Sequence, residues 1–219
     1  MFSDAVVKML GVGILESIYM TFVSSFIAYL IGLPLGVLLV VTDKEGIAPL
    51  VPLNKALGVI VNLVRSIPFI ILLISVMPFT RLIIGTTLGP TAVIVPLIIA
   101  SAPYIARIVE SSLKEVDKGV IEAAQSMGAT PLQIIYKVLI PEAKPSLIVG
   151  GAIAVTTILS YSAMAGIVGG GGLGDIAIRY GYYRYETEIM LVTVIILVLI
   201  VQVIQEAGFK WMNRADKRI

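Results

Sequence analysis

Five stretches of this chain are strongly apolar and almost free of charge, and they constrain its fold more than any other feature. A single arginine, Arg65, interrupts one of them; the stretches are 17–42, 57–80, 82–106, 145–174 and 189–205. A transmembrane helix needs about 20 mostly apolar residues to cross a bilayer. We therefore predict five membrane spans, at about 14–41, 57–77, 82–101, 149–168 and 188–206.

The composition agrees with a membrane location. Hydrophobic residues make up 58% of the 219 and charged residues 14%, against about 45–50% and about 25% in soluble domains. A globule of this size has too little interior to hide the excess. We predict an all-α integral membrane protein with one transmembrane domain over 1–219 and lipid as its surroundings. The net charge of +2 gives no reason to expect a nucleic-acid partner.

The chain lacks residues that most enzymes and metal sites use. It contains no histidine and no cysteine, which removes the commonest general base and the thiolate ligands. The glycine run 169–172 is not followed by the Lys-Ser/Thr of a phosphate-binding loop. We expect no catalytic residue, metal site or cofactor on this chain. The run itself is predicted to be a flexible external turn or, alternatively, a place where a partner protein or a gate approaches its backbone closely.

The distribution of lysine and arginine predicts the orientation, because cytoplasmic loops carry the excess of basic residues. With the C-terminus inside, twelve of the sixteen basic residues are cytoplasmic: Lys44, Lys55, Arg65, Arg107, Lys114, Lys118, Lys137, Lys144, Lys210, Arg214, Lys217 and Arg218. The other four are external: Lys8, Arg81, Arg179 and Arg184. We predict an external N-terminus and a cytoplasmic C-terminus, with the tyrosines of 180–185 as an interfacial aromatic belt.

One connection, 102–148, is far longer than the few residues around 78–81 that join the second and third predicted spans. Asp117 is a plausible N-cap for a helix over 118–127, and Gly128 suits the left-handed position after it. Thr130 and Gln133 have the spacing of a capping box. We predict a cytoplasmic pair of short helices, the second ended by Pro141.

This connection resembles the EAA loop of ABC importer permeases. The matching residues are Glu122, Ala123, Ala124, Gly128 and Pro141. Val138 and Ile140 stand where the family has Ile and Leu. The small alanines would let another protein's backbone approach, and Glu122 would offer a charge to a basic residue. The resemblance implies a loop that couples to an ATPase subunit; the alternative from the residues alone is a loop that packs under its own bundle.

Other segments extend the resemblance over nearly the whole chain. The segment 65–69 is similar to the Arg-Gly/Ser-x-Pro sequence of amino-acid permeases, while 78–81, 102–107, 127–131 and 161–164 look most like the methionine-uptake branch. The family implies a type I importer in the cytoplasmic membrane of a prokaryote. It has two permease copies, two ATP-binding subunits that carry ATP and Mg²⁺, and an external substrate-binding lipoprotein. The expected substrate is methionine.

Polar residues in or near the spans are candidates for the transport pathway. Hydroxyl groups in a membrane helix favour helix contacts or a polar pathway, and methionine adapts to apolar ligands. The candidates are Ser160, Tyr161, Ser162, Met164 and Arg65. Arg65 either lines the cytoplasmic mouth or extends to the inner interface, and Asn62 nearby is expected to hydrogen-bond between helices.

Three alternatives remain open from the residues. The substrate could be another amino acid or a small polar solute. An ion-coupled secondary transporter would need an ionisable group deep in a span and inverted repeats, and neither is evident. A membrane scaffold would explain the hydrophobicity but not the Glu-Ala-Ala loop.

Overall fold

The computed structural model describes residues 3–215, which are helical over most of their length and contain no β-strand. The α-helices are α1 Asp4–Val41, α2 Val51–Ser66, α3 Phe69–Ile84, α4 Pro90–Lys114, α5 Lys118–Ser126, α6 Pro131–Ile134, α7 Ile140–Glu142, α8 Lys144–Met164, α9 Gly172–Ile176 and α10 Thr187–Ala215. Two π-helical turns, Ile135–Leu139 and Ala177–Tyr182, and a 3₁₀ turn, Ala165–Val168, connect them. The all-α prediction is confirmed. Lys217 and Arg218 lie outside the described residues.

Within residues 3–215, four helical stretches are long and apolar enough to cross a membrane: α1, α4, Lys144–Val168 and α10. A fifth is broken, because α2 and α3 meet at an angle of 106°. Ile67, the first residue after α2, precedes Pro68, and a proline disfavours helical geometry in the residue before it. The second predicted span, 57–77, is therefore two helices rather than one.

The connection between the second and third predicted spans was placed wrongly. Helix α3 runs through Pro78 to Ile84, so the chain is helical at 78–81, and the next helix begins at Pro90 rather than near 82. The turn is instead made by Gly85 and Gly89, whose φ angles are 84° and 86°. Glycine adopts this left-handed conformation without steric cost, which explains why the turn lies there.

The chain divides into two compact units, each assembled from segments distant in sequence. The first unit holds the chain up to Ile27 together with Ile67–Ser101 and Val155–Gln205. The second holds Ala28–Ser66, Ala102–Ala154 and the described residues from Glu206 to Ala215. A single transmembrane domain over 1–219 stays a prediction.

Each unit has its own close packing. In the first, a buried cluster joins Leu10 of α1, Leu173 and Ile176 of α9 and Ile189 of α10.

In the second unit, glycines let α1 and α4 approach closely. A Cβ atom at Gly32 would lie 2.7 Å from the carbonyl oxygen of Ala102, and one at Gly36 would lie 2.6 Å from that of Ala106. Both helices thus present a small residue every four positions, a pattern that brings membrane helices into backbone contact.

Candidate functional site

The predicted cap of α5 is present. The Asp117 carboxylate accepts a hydrogen bond from the Gly119 N–H at 2.8 Å, and α5 extends from Lys118 to Ser126. Gly128 follows with φ 78°, and its N–H donates to the Gln125 carbonyl at 2.9 Å. The predicted turn after α5 is therefore confirmed.

The capping box that begins α6 is also present. The Thr130 N–H donates to Gln133 Oε1 at 2.8 Å, and the Gln133 N–H donates to Thr130 Oγ1 at 3.4 Å. These reciprocal bonds satisfy two backbone donors that have no partner within the helix. The bonds set the direction in which the chain leaves the α5 turn.

Pro141 does not end the second helix of the loop, contrary to the prediction. It lies inside α7, and a π-helical turn over Ile135–Leu139 precedes it. Ile140 donates its N–H to the carbonyl of Ile135, five residues back. A proline can neither donate the usual bond to the fourth residue back nor fit against that carbonyl. The wider π turn lets the helix continue past this point, and the exposed Pro141 lies within the helical segment that follows.

The side chains of the Glu-Ala-Ala triplet do not share one environment. Glu122 and Ala123 are exposed, whereas Ala124 is only 5% exposed. Ala124 therefore packs inward, where a small side chain lets α5 lie against the π turn that follows. Close approach of a partner to these small alanines stays a prediction, and Ala123 is the exposed one of the two.

Exposed apolar side chains flank Ala123 in the sequence. Val120 lies on α5, Met127 follows its last residue and is 81% exposed, and Leu132 and Tyr136 are exposed beyond the turn. We call Val120, Ala123, Met127, Leu132 and Tyr136 the loop face. The sequence analysis missed it, although apolar residues at 120, 123 and 127 have the spacing of one helix face.

Two ion pairs attach the turn between α1 and α2 to the loop. Lys118 Nζ lies 2.8 Å from Glu45 Oε2, and Lys114 Nζ lies 3.4 Å from Asp43 Oδ2. The hydrogen bond from the Lys118 ammonium lowers the pKa of Glu45, and the same bond raises the pKa of Lys118. Because Glu45 and Lys118 are exposed, their ion pair adds little to the free energy of unfolding. Lys118 is the first residue of α5, so the pair connects the start of α5 to the turn after α1.

A more buried charge cluster lies next to this turn. Glu110, which is buried, accepts hydrogen bonds from Arg107 and from Lys114, the latter at 2.8 Å. Arg107 also donates to Asn62 Oδ1 at 2.9 Å. This bond joins α4 to α2 and confirms the interhelical role expected of Asn62. Polar contacts thus run from α2 along α4 to the start of α5.

A cavity of about 440 Å³ opens beside α5. Its walls come from the turn after α1, the end of α4 and α5 itself, and Glu122 is among the lining residues. The exposed carboxylate of Glu122 therefore stands at an opening large enough to admit a side chain from another protein.

The predicted pathway residues separate into different environments. Ser160 and Met164, one helical turn apart on α8, are exposed. The ring of Tyr161 stacks on Phe69, with 4.5 Å between centroids and planes 3° apart. Ser162 is 1% exposed and donates to the carbonyl of Leu159 at 2.7 Å, so it faces its own bundle.

Arg65 and Phe69 lie on opposite sides of the break between α2 and α3. Arg65 is exposed in the last turn of α2 and belongs to the second compact unit, whereas the candidates at 160–164 belong to the first. Phe69 was missed by the sequence analysis. Its signal was its place directly after Pro68, where the helix restarts.

The glycine run is not a flexible turn, contrary to the prediction. Gly172, Leu173 and Gly174 are buried in α9. The Gly172 N–H donates to Glu16 Oε2 at 2.7 Å. The close contacts that the run makes are with this chain itself. Approach by a binding protein or a gate, the alternative, stays a prediction. Tyr182, Tyr183 and Tyr185 are exposed, and the aromatic belt stays a prediction.

Comparison with known proteins agrees with this arrangement. The profile of the family described as "Binding-protein-dependent transport system inner membrane component" matches residues 32–214. The Vibrio cholerae "Probable D-methionine transport system permease protein MetI" is 53% identical over 203 residues, covering 93% of this chain and 90% of that protein. A Pasteurella multocida protein of the same description is 46% identical over 211 residues, covering 96% and 97%.

A solved structure also resembles the chain along its length. A chain of "Inward facing conformations of the MetNI methionine ABC transporter" is 47% identical, with a TM-score of 0.97, covering 99% of this chain and 100% of that one. The expectation of a permease, rather than a catalytic subunit, is confirmed by these matches. This multi-pass membrane protein belongs to the family of binding-protein-dependent transport system inner membrane components.

Proposed function

We propose that this chain is the permease subunit of an ATP-driven importer that moves methionine across the cytoplasmic membrane of a prokaryote. The observation that carries the proposal is its likeness, at 47% identity and a TM-score of 0.97 over nearly the whole chain, to a chain of a methionine ABC transporter. The curated relatives with D-methionine in their descriptions support the same substrate.

The proposed assembly contains two copies of this chain, two ATP-binding subunits and an external substrate-binding lipoprotein. Five spans are few for enclosing a polar pathway, so a symmetric pair with the pathway on its two-fold axis is the simplest solution. ATP and Mg²⁺ belong to the ATP-binding subunits in this proposal. The permease itself carries no cofactor.

The loop face is the proposed contact with the ATP-binding subunit. It combines four exposed apolar side chains with the exposed Ala123, whose methyl side chain leaves room for close approach. Glu122 adds a charge at the mouth of the neighbouring cavity, suited to a lysine or arginine of the partner. Ala124, Gly128 and Pro141 act indirectly, by shaping the support on which α5 rests.

The proposed pathway is lined by Ser160, Tyr161 and Met164, with Arg65 near the cytoplasmic mouth. A thioether substrate would find polarizable and aromatic partners in Met164 and the stacked Tyr161, since sulfur packs favourably against rings. Ser162 is left out because its hydroxyl is buried and bonded within its own helix.

The two compact units support the proposed orientation. All ten described basic residues of the predicted cytoplasmic set belong to the second unit, and the four of the predicted external set belong to the first. An excess of basic residues is expected in the segments of a membrane protein that face the cytoplasm. The N-terminus is therefore proposed to be external.

The test of function is uptake of labelled methionine by cells that lack their own methionine importer. Cells that express this chain with its ATP-binding and substrate-binding partners should accumulate methionine, and unlabelled histidine or arginine should compete poorly. Cells that express the two partners without this chain are the control. Equal competition by the cationic amino acids would transfer the proposal to another amino-acid importer.

A further inference from the structure

Two neighbouring residues of α1, Glu16 and Ser17, hold the beginning of α9. Glu16 Oε2 accepts the N–H of Gly172 at 2.7 Å, and Ser17 Oγ accepts the N–H of Leu173 at 2.9 Å. The first N–H groups of a helix have no partner within it. The side chains of α1 supply those partners across a sequence separation of 156 residues.

The contact is closely fitted on both sides. Gly172 has a φ of 75°, and a Cβ atom there would lie 2.7 Å from Ser17 Oγ and 2.8 Å from Met20 Cε. Glycine is therefore required for its backbone conformation and for space. A charged acceptor forms a stronger hydrogen bond than a neutral one, so Glu16 is the main attachment.

The same short helix presses on the end of α8. A Cβ atom at Gly174 would collide with the backbone of Ala163, and one at Gly166 would collide with the backbone of Asp175. Ala163 precedes Met164 in the turn of α8 that also carries Tyr161. Contacts therefore lead from Glu16, through α9, to the side chains proposed to line the pathway.

We propose that Glu16, assisted by Ser17, is a positioning residue for transport. Its carboxylate locks α9 against the end of α8 and thereby sets the place of Tyr161 and Met164. An ionisable group at the edge of an otherwise uncharged membrane segment commonly has a functional role. The role of Glu16 in transport rests on the proposed function, which names the transported molecule. The attachment of α9 by Glu16 and Ser17 does not depend on that function.

This chain contains no natural cysteine, which allows a direct test once any cysteines of the partner subunits are replaced. Leu173, which is fully buried, is changed to cysteine, and labelling by a hydrophilic maleimide is followed in the full complex in nanodiscs, where both membrane faces are accessible. Glu16→Leu should raise the labelling rate about 10- to 100-fold, the effect of losing one hydrogen bond to a charged group. The same substitution in the cysteine-free complex should lower the methionine transported per ATP hydrolysed.

Two further variants separate positioning from a general defect. Glu16→Gln keeps an acceptor oxygen, so labelling and transport should stay within about threefold of wild type. Glu188→Leu removes an exposed carboxylate from the first turn of α10 and should change neither quantity. If Glu16→Leu does not assemble, Ser17→Ala, which removes only the weaker acceptor, should still raise labelling about threefold or more.

The inference is overturned if either the labelling rate or the methionine transported per ATP stays within twofold of wild type in Glu16→Leu. If Glu16→Leu does not assemble, a labelling rate within twofold of wild type in Ser17→Ala overturns it. A labelling contrast in a complex that moves no methionine would contradict the proposed function instead, and would support the attachment of α9 by Glu16.

Discussion

The packing of α1 on α4 predicts a large difference between two identical substitutions in one helix. A Cβ atom at Gly36 would lie 2.6 Å from the carbonyl oxygen of Ala106 and 2.6 Å from Val109 Cβ. Ordinary contacts begin near 3.4 Å, so Gly36→Ala forces the two backbones apart. At Gly11, on the same helix, nothing lies within 4 Å of the added atom.

Overpacking of this kind costs about 1–3 kcal/mol, and for a chain of this size each kcal/mol lowers the melting temperature by about 2–4 °C. Gly36→Ala should therefore lower the melting temperature of the purified protein by about 2–12 °C. Gly11→Ala should leave it unchanged or raise it slightly, because alanine is the better helix former by about 1 kcal/mol.

The assay is thermal unfolding of the permease in one detergent, with both variants measured beside wild type. Membrane abundance of each variant gives an independent check on folding. Equal melting temperatures for Gly36→Ala and Gly11→Ala would refute the argument that backbone contact between α1 and α4 requires glycine at position 36.

Further predictions concern the loop and its charges. Ala123→Trp should change the free energy of unfolding of the permease by no more than about 0.5 kcal/mol. It should nevertheless weaken co-purification of the ATP-binding subunit by about 30-fold or more. Ala124→Trp, at the buried neighbour, should instead lower the melting temperature of the permease. Gly128→Val should cost about 1–2 kcal/mol or more, because a side chain is strained at φ 78°, and should reduce substrate-stimulated ATP hydrolysis; normal hydrolysis in this variant would argue against a rigid α5. Glu110→Ala should destabilise the permease by about 1–3 kcal/mol, since two cations lose their shared acceptor, while Glu45→Ala, which removes an exposed carboxylate, should change the melting temperature little. The pKa of Glu45 is lowered below 4.5 on folding. Its small contribution to the free energy of unfolding should therefore be present above about pH 4.5 and be lost as the pH falls further. Melting curves of wild type and Glu45→Ala at several pH values would measure this difference.

Local features were predictable where one residue type satisfies a local need. Asp117, Gly128 and Thr130 each act on backbone groups within three residues of themselves. Their roles depend on short-range geometry, which a sequence pattern contains. The caps and the turn around α5 could therefore be located before the structure was known.

Prolines misled the prediction because their effect depends on the surrounding turn. Pro78 lies within α3, and Pro141 follows a π turn that removes the clash it would otherwise cause. The types of the neighbouring residues do not indicate that the helix continues through either proline. The glycines at 85 and 89 were the better boundary signal, because their φ angles suit few other residues.

Long-range contacts were out of reach for a different reason. The bond between Glu16 and Gly172 joins residues 156 positions apart, and without it the glycine run has the composition of a mobile turn. Burial of Ala124 and Ser162 likewise depends on which helices pack together. A single sequence specifies which faces are apolar, but not which neighbour covers each face.

The most direct test of the central claim is methionine uptake into proteoliposomes that hold this chain with its ATP-binding partner. Substrate-binding protein and labelled methionine are supplied on the side that the binding protein faces, and ATP or a non-hydrolysable analogue on the other side. The account predicts uptake with ATP, no uptake with the analogue, and no effect of ionophores that abolish ion gradients. Uptake that proceeds without ATP and collapses when the ionophores are added would contradict it.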